Sequence, residues 1–192
     1  MIREFHVADF FTLGNAACGV AGIFCAMTYM ATKSIGAFYA AVALAPAAFA
    51  FDVLDGRIAR WRQEHSALGR ELDSLADVIS FGVAPAGIAF AAGLRSTLDQ
   101  IILMYFVGCG LSRLARYNVT AETLAADTGK VRYFEGTPIP TSIIPLALLL
   151  LAFHRRSLFP VMVAGFELHL VSLLFLLSGS LMISKTLKVP KP

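Results

Sequence analysis

The sequence predicts an all-helical integral membrane protein with six transmembrane helices and a short N-terminal interfacial helix. Three observations carry this. Of 192 residues, 57% are hydrophobic and only 15% charged. The mean hydropathy is +0.71. The charges are clustered, which leaves long apolar runs between them. Soluble domains average about 25% charged residues, so an ordinary water-soluble domain is excluded.

A span needs roughly 20 predominantly apolar residues. Taken in order, the apolar runs are residues 10–30, 35–54, 78–93, 98–114, 138–153 and 158–183. The third and fifth are short and are expected to extend into their polar flanks; the last is long enough to tilt. Residues 1–9 carry Arg3, Glu4 and Asp9 beside Phe5 and Val7, the pattern of a short helix lying in the membrane interface. No long polar insert, low-complexity tract or repeat divides the chain, so residues 1–192 are expected to form one membrane domain. Cys18, Cys25 and Cys109 lie inside apolar runs without metal-ligand spacing and read as packing residues.

With six spans both termini share one side. That side holds Arg3, Arg57, Arg60, Arg62, Arg70, Arg113, Arg116, Lys130, Arg132, Lys185, Lys188 and Lys191; the other holds Lys33, Arg95, Arg155 and Arg156. The asymmetry places the richer side in the cytoplasm. A prokaryotic cytoplasmic membrane is the expected location.

Four aspartates at this cytoplasmic edge carry the chemistry. They form the pattern Asp52-x2-Asp55-Gly56-x2-Ala59-Arg60-x8-Gly69-x3-Asp73-x3-Asp77. Residues three or four apart share a helix face, so Asp52 and Asp55 are expected to point together from the end of one helix. Asp73 and Asp77 do so from the start of the next. Carboxylates at a membrane boundary read as functional, and four together would repel unless cations lay between them. Mg²⁺ takes oxygen ligands and keeps room for substrate phosphates, and two such ions can clamp an in-line displacement at phosphorus. Gly56, Ala59 and Gly69 remove bulk where a ligand would approach, and Arg60 offers a planar fork suited to phosphate. Proton-relay carboxylates of a cation transporter would instead be scattered singly at membrane depth.

These positions match the signature of the CDP-alcohol phosphotransferases throughout, and the chain resembles that family, which is similarly a six-span bundle. The resemblance implies that Asp52, Asp55, Asp73 and Asp77 hold two divalent ions, Mg²⁺ or Mn²⁺. It implies that Asp55, Gly56, Ala59, Arg60, Gly69 and Asp73 form the CDP site. Asp77 becomes the candidate general base on the acceptor hydroxyl, with Asp73 beside it in the catalytic set. Dimers, common in the family, are expected.

Other segments must choose the acceptor. The run Ser80-Phe81-Gly82 to Pro85, the run Ser112-Arg113 to Asn118, and Tyr133-Phe134-Glu135-Gly136-Thr137-Pro138-Ile139-Pro140 are similar to the branch of the family that uses serine. Thr12-Leu13-Gly14-Asn15 is similar to the family's start of span one. The resemblance thus implies transfer of a phosphatidyl group from CDP-diacylglycerol to L-serine, with release of CMP. Another acceptor (an inositol phosphate, glycerol 3-phosphate or choline) or an ether-lipid donor stays open. A zwitterionic acceptor needs a cation for its carboxylate and acceptors for its ammonium. Arg113, Arg116, Asn118, Lys130 and Glu135 are the candidates; anchoring and snorkelling of the basic residues is the competing account. Glu167 and His169 lie inside the expected last span, where a bundle-facing hydrogen bond is the favoured reading.

Overall fold

The computed structural model describes residues 6–62, 66–126, 133–163, 165–186 and 188–190. The chain forms two compact units, Met1–Gly93 and Leu94–Pro192.

In the first unit, α1 (Val7–Thr32) and α2 (Ile35–Arg62) are joined by a two-residue turn. The His6 backbone N–H donates to Asp9 Oδ2 at 2.7 Å, capping α1. In lipid, helices associate by close packing of small residues rather than by expelling water. α1 and α2 follow this rule. A Cβ added at Gly22 would lie 3.4 Å from the Ala41 carbonyl oxygen, and one at Gly14 would lie 3.1 Å from the Phe51 ring. Phe38, Ala41, Ala45, Ala48, Phe81, Ile88 and Ala89 fill the core. Phe10, Phe24 and Met27 are exposed, as side chains facing lipid would be.

Next comes α3 (Ala67–Asp77), opened by Ser66, whose hydroxyl accepts the Gly69 N–H at 2.9 Å. This is an ordinary N-cap. The helix then runs through a π-helical segment, Val78–Val83, into α4 (Ala84–Ala92). Gly93, at φ +134°, ends it. Such π turns insert an extra residue into a helical turn and recur at functional sites.

The second unit is built on α5 (Thr97–Ala126) and α7 (Ser172–Ile183). A Cβ at Gly179 would sit 3.2 Å from Phe106 Cα, and the rings of Phe106 and Phe175 meet edge to face with centroids 5.4 Å apart. Strand β1 (Tyr133–Glu135), a 3-10 turn (Ile139–Ser142), α6 (Ile143–His154) and the hairpin β2 (Pro160–Val163) and β3 (Phe166–His169) lie between them. Strand β4 (Lys188–Pro190) pairs antiparallel with β1, Phe134 opposite Val189. Asp99, fully buried in the first turn of α5, accepts from the Ser96 N–H, the His169 N–H and His169 Nδ1, the last at 2.6 Å. The hairpin is thereby tied to the start of α5.

Several expectations change. Four helical segments are long and apolar enough to cross a membrane: Val7–Thr32, Ile35–Arg62, Leu68–Ala92 and Thr97–Val119. Two further apolar helices, Ile139–His154 and Ser172–Ile183, are shorter. The expected single span over residues 158–183 is instead a hairpin followed by a 12-residue helix. Its Val- and Phe-rich start suits a strand as well as a helix, and Gly165, at φ +85°, turns the chain. The fold is therefore mostly helical rather than all-α, with four short strands among the described residues. Glu167 lies exposed on β3 rather than in a span. At the N-terminus, residues 7–9 are the first turn of α1 rather than a separate interfacial helix, and residues 1–5 lie outside the described set.

Candidate active site and metal centre

All four signature aspartates fall in the first unit. Asp52 and Asp55 sit on α2, which continues for about two more turns past Asp55 to Arg62, so they do not close the helix as expected. Asp73 and Asp77 sit on α3, Asp77 directly before the π segment. Asp55 and Asp77 are buried, and Asp52 and Asp73 half-buried.

Asp52, Asp55 and Asp73 each contribute a carboxylate oxygen to a group whose members all lie within 4.8 Å of one another. Like charges this close, in a partly desolvated setting, repel strongly. Two opposed oxygens on a Mg²⁺ stand about 4.2 Å apart, twice the usual metal–oxygen distance, so small side-chain rotations would fit the three to one ion. Asp73 Oδ1 is buried with no hydrogen-bond partner among the described residues. An orphaned buried acceptor is costly and suits a cation. The donor set, all carboxylate oxygen, matches a hard divalent ion.

Asp77 stands beside this group, within electrostatic reach of Asp52 and Asp73. One of its oxygens is engaged: Asn15 Nδ2 donates to Asp77 Oδ1 at 3.1 Å. Thr12 Oγ1 donates to Asp55 Oδ2 at 2.8 Å. In the sequence, Thr12 and Asn15 are marked only by their similarity to the family's first span, and neither stands among the expected site residues. Asp9, Thr12 and Asn15 recur every third residue on α1 and are all buried. A polar stripe of that period inside an apolar span is the signal that would have found them.

The small residues divide into two kinds. A Cβ at Gly56 would meet nothing within 4 Å, so open space faces α2 beside Asp55. Gly69 is tight: its Cβ would lie 3.0 Å from both Asp9 Oδ1 and Ser66 Oγ. Ala59 is half-buried and Arg60 is exposed in the last turn of α2.

The expected acceptor residues belong to the second unit. On α5, Arg113 is buried and Asn118 half-buried. Arg116 donates to the Ile183 carbonyl at 3.3 Å, so part of its guanidinium ties α5 to the end of α7. Lys130 lies outside the described residues, and for Glu135 only the backbone, in β1, is described. The Gly136–Pro140 run packs on α7, with the Thr137 N–H donating to the Leu181 carbonyl at 3.2 Å.

The family model of CDP-alcohol phosphatidyltransferase matches residues 5–178. The chain belongs to the CDP-alcohol phosphatidyltransferase family. Within this family it is 42% identical over 201 residues to the CDP-diacylglycerol–serine O-phosphatidyltransferase of Saccharomyces cerevisiae, a match spanning 100% of this chain and 73% of the yeast protein. It is 39% identical over 118 residues to the protein of the same name from Mycobacterium leprae, covering 59% of this chain but 39% of that relative. The archaetidylserine synthase of Methanothermobacter thermautotrophicus is 32% identical over 173 residues, 88% of this chain and 66% of that protein. The chain thus spans only part of the length of these relatives. As a phosphatidyltransferase with apolar helices long enough to span a bilayer, it is a membrane protein.

Proposed function

We propose that this chain transfers a phosphatidyl group from CDP-diacylglycerol to L-serine, forming phosphatidylserine and CMP. The observation that carries the chemistry is the convergence of Asp52, Asp55 and Asp73, from two helices, within 4.8 Å. Serine as acceptor is supported by the yeast relative of that name, aligned over the whole chain.

Asp52, Asp55, Asp73 and Asp77 would hold two divalent ions, Mg²⁺ or Mn²⁺. When bound, such ions neutralise charge on the transferring phosphoryl group and on the departing phosphate. The chain's own residues do the rest. Asp77 takes the proton of the serine hydroxyl as that oxygen bonds to the β-phosphorus, and the bond from this phosphorus to the oxygen of CMP breaks. The open face at Gly56 admits the nucleotide, with Ala59 and Gly69 shaping its walls and Arg60 reaching the diphosphate. Arg113, Arg116, Asn118, Lys130 and Glu135 are proposed to serve the acceptor.

The remaining architecture belongs to the same reading: one catalytic membrane domain over residues 1–192, in which the two shorter apolar helices need their apolar flanking residues to complete six spans. The charge asymmetry supports an active site at the cytoplasmic face. A prokaryotic cytoplasmic membrane and a homodimer are proposed; relatives occur in bacteria and archaea and, over the whole chain, in yeast.

The test is release of radiolabelled CMP by the purified chain, with CDP-diacylglycerol and a panel of alcohols. Serine should support release. Release with glycerol 3-phosphate or an inositol phosphate but not with serine would overturn the acceptor assignment. Chelation with EDTA should stop the reaction and added Mn²⁺ or Mg²⁺ restore it; full activity after exhaustive chelation would refute the metal assignment.

A further inference from the structure

We propose that α1 is a working wall of the aspartate site, in which Thr12 and Asn15 are positioning residues, one for each half of the aspartate set. This rests on the metal-assisted reading above and adds residues that lie outside the signature.

The geometry is specific. Thr12 and Asn15 are both buried, Asn15 completely. Thr12 Oγ1 reaches Asp55 Oδ2 at 2.8 Å, and Asn15 Nδ2 reaches Asp77 Oδ1 at 3.1 Å. Each bond engages one carboxylate oxygen and fixes the plane of that carboxylate, with the Gly56 N–H as a further partner of Asp55. The two residues lie one turn apart on α1, and their targets belong to two different helices, so α1 sets both from a single rigid element.

The register that makes this possible is itself fixed. Ser80 Oγ donates to the Asn15 carbonyl at 2.8 Å. A Cβ at Gly19 would fall 2.7 Å from Ser80 Oγ and 2.8 Å from Ser80 Cα. α1 therefore rests directly on the π segment that follows Asp77, and cannot slide without collision. A stabilising role alone does not account for Asn15. Its Oδ1 is buried with no hydrogen-bond partner among the described residues, which is a poor arrangement for stability. The amide is spent on orienting Asp77.

Groups that orient metal-binding or catalytic side chains typically change metal affinity or activity by about 10- to 100-fold when removed. The test uses the full chain purified in detergent, with Mn²⁺ binding followed by electron paramagnetic resonance and turnover by CMP release. Thr12→Val, which keeps shape but loses the hydroxyl, should weaken Mn²⁺ binding by about tenfold, and Thr12→Ser should restore it. Asn15→Leu should lower kcat by about tenfold or more while KM for CDP-diacylglycerol stays within about twofold. Should Asn15→Leu not fold, Asn15→Ala replaces it, leaving space rather than bulk. Wild-type Mn²⁺ affinity in Thr12→Val, or a lowered unfolding midpoint with unchanged affinity and kcat, would overturn the proposal. A rise in KM alone for Asn15→Leu would also overturn it, by making Asn15 a donor contact. Asp73→Asn separates the two levels: if it keeps turnover, the proposed function fails. If it is inactive while the α1 variants behave as wild type, only the positioning role fails.

Discussion

Neutralising one aspartate should have opposite effects on stability with and without metal. Asp52, Asp55 and Asp73 present oxygens within 4.8 Å of one another. At that distance and an effective dielectric of about 20, each pair of charges repels by about 3.5 kcal/mol. Asp73 takes part in two of the three pairs, so Asp73→Asn removes up to about 7 kcal/mol of repulsion from the metal-free protein. Water and counter-ions around half-buried Asp52 screen most of this. A remainder of about 1–2 kcal/mol corresponds to roughly 2–8 °C in the unfolding midpoint of a chain this size. With Mn²⁺ at about 100 times its dissociation constant, the wild type gains about 2.7 kcal/mol per site, and a variant short of one ligand gains a fraction of that. The order of stability therefore reverses: Asp73→Asn melts above the wild type in EDTA and below it in Mn²⁺. Thermal unfolding in detergent under both conditions reads this, and CMP release by the variant should fall by about 100-fold or more. A variant that melts below the wild type in EDTA would show that packing, not repulsion, governs Asp73. An equal Mn²⁺-induced rise in both proteins would refute the metal site.

Three further outcomes follow from close contacts. Gly19→Ala sets a Cβ 2.8 Å from Ser80 Cα, a backbone atom that cannot swing aside; overpacking of this kind costs about 1–3 kcal/mol, read as a lower unfolding midpoint together with reduced turnover. Gly136→Ala combines a φ of +78° with a Cβ driven into the Met182 carbonyl, so it should destabilise at least as much, by the same measurement. His169→Ala removes one donor from fully buried Asp99 and should cost about 1–3 kcal/mol, with His169→Asn, which retains a donor, recovering part of the loss.

The donor half of the site was legible because its information is local. Asp52 and Asp55, and likewise Asp73 and Asp77, are paired by helical spacing alone, and Gly56 and Gly69 stand beside them in the chain. Thr12 and Asn15 were not legible as site residues, because they meet Asp55 and Asp77 across 43 and 62 residues of sequence. No spacing rule encodes that distance. The long helices were plain from composition. The hairpin at residues 160–169 was not: an apolar run of Val, Met and Phe satisfies strand and span alike, and the decision rests on Gly165 and on the tie from His169 to Asp99. The π segment leaves no periodic mark, since its residues are as apolar as those of an α-helix.

An α-helix advances about 100° per residue, so one extra residue within a turn offsets the phase of everything after it by about that angle. The stretch before Val78 aims Asp73 and Asp77 at the site, while the stretch after Val83 aims Ile88 and Ala89 at the core. With a uniform α-helix from Leu68 to Ala92, those two aims would belong to one phase and could not be chosen separately. Here the helix carries two independent phases, so the direction of the carboxylates is uncoupled from the direction in which the same helix is packed. Deleting one residue from Val78–Val83 would rejoin the phases, turning either the aspartates or the packing face away from its partner while leaving every functional side chain in the sequence.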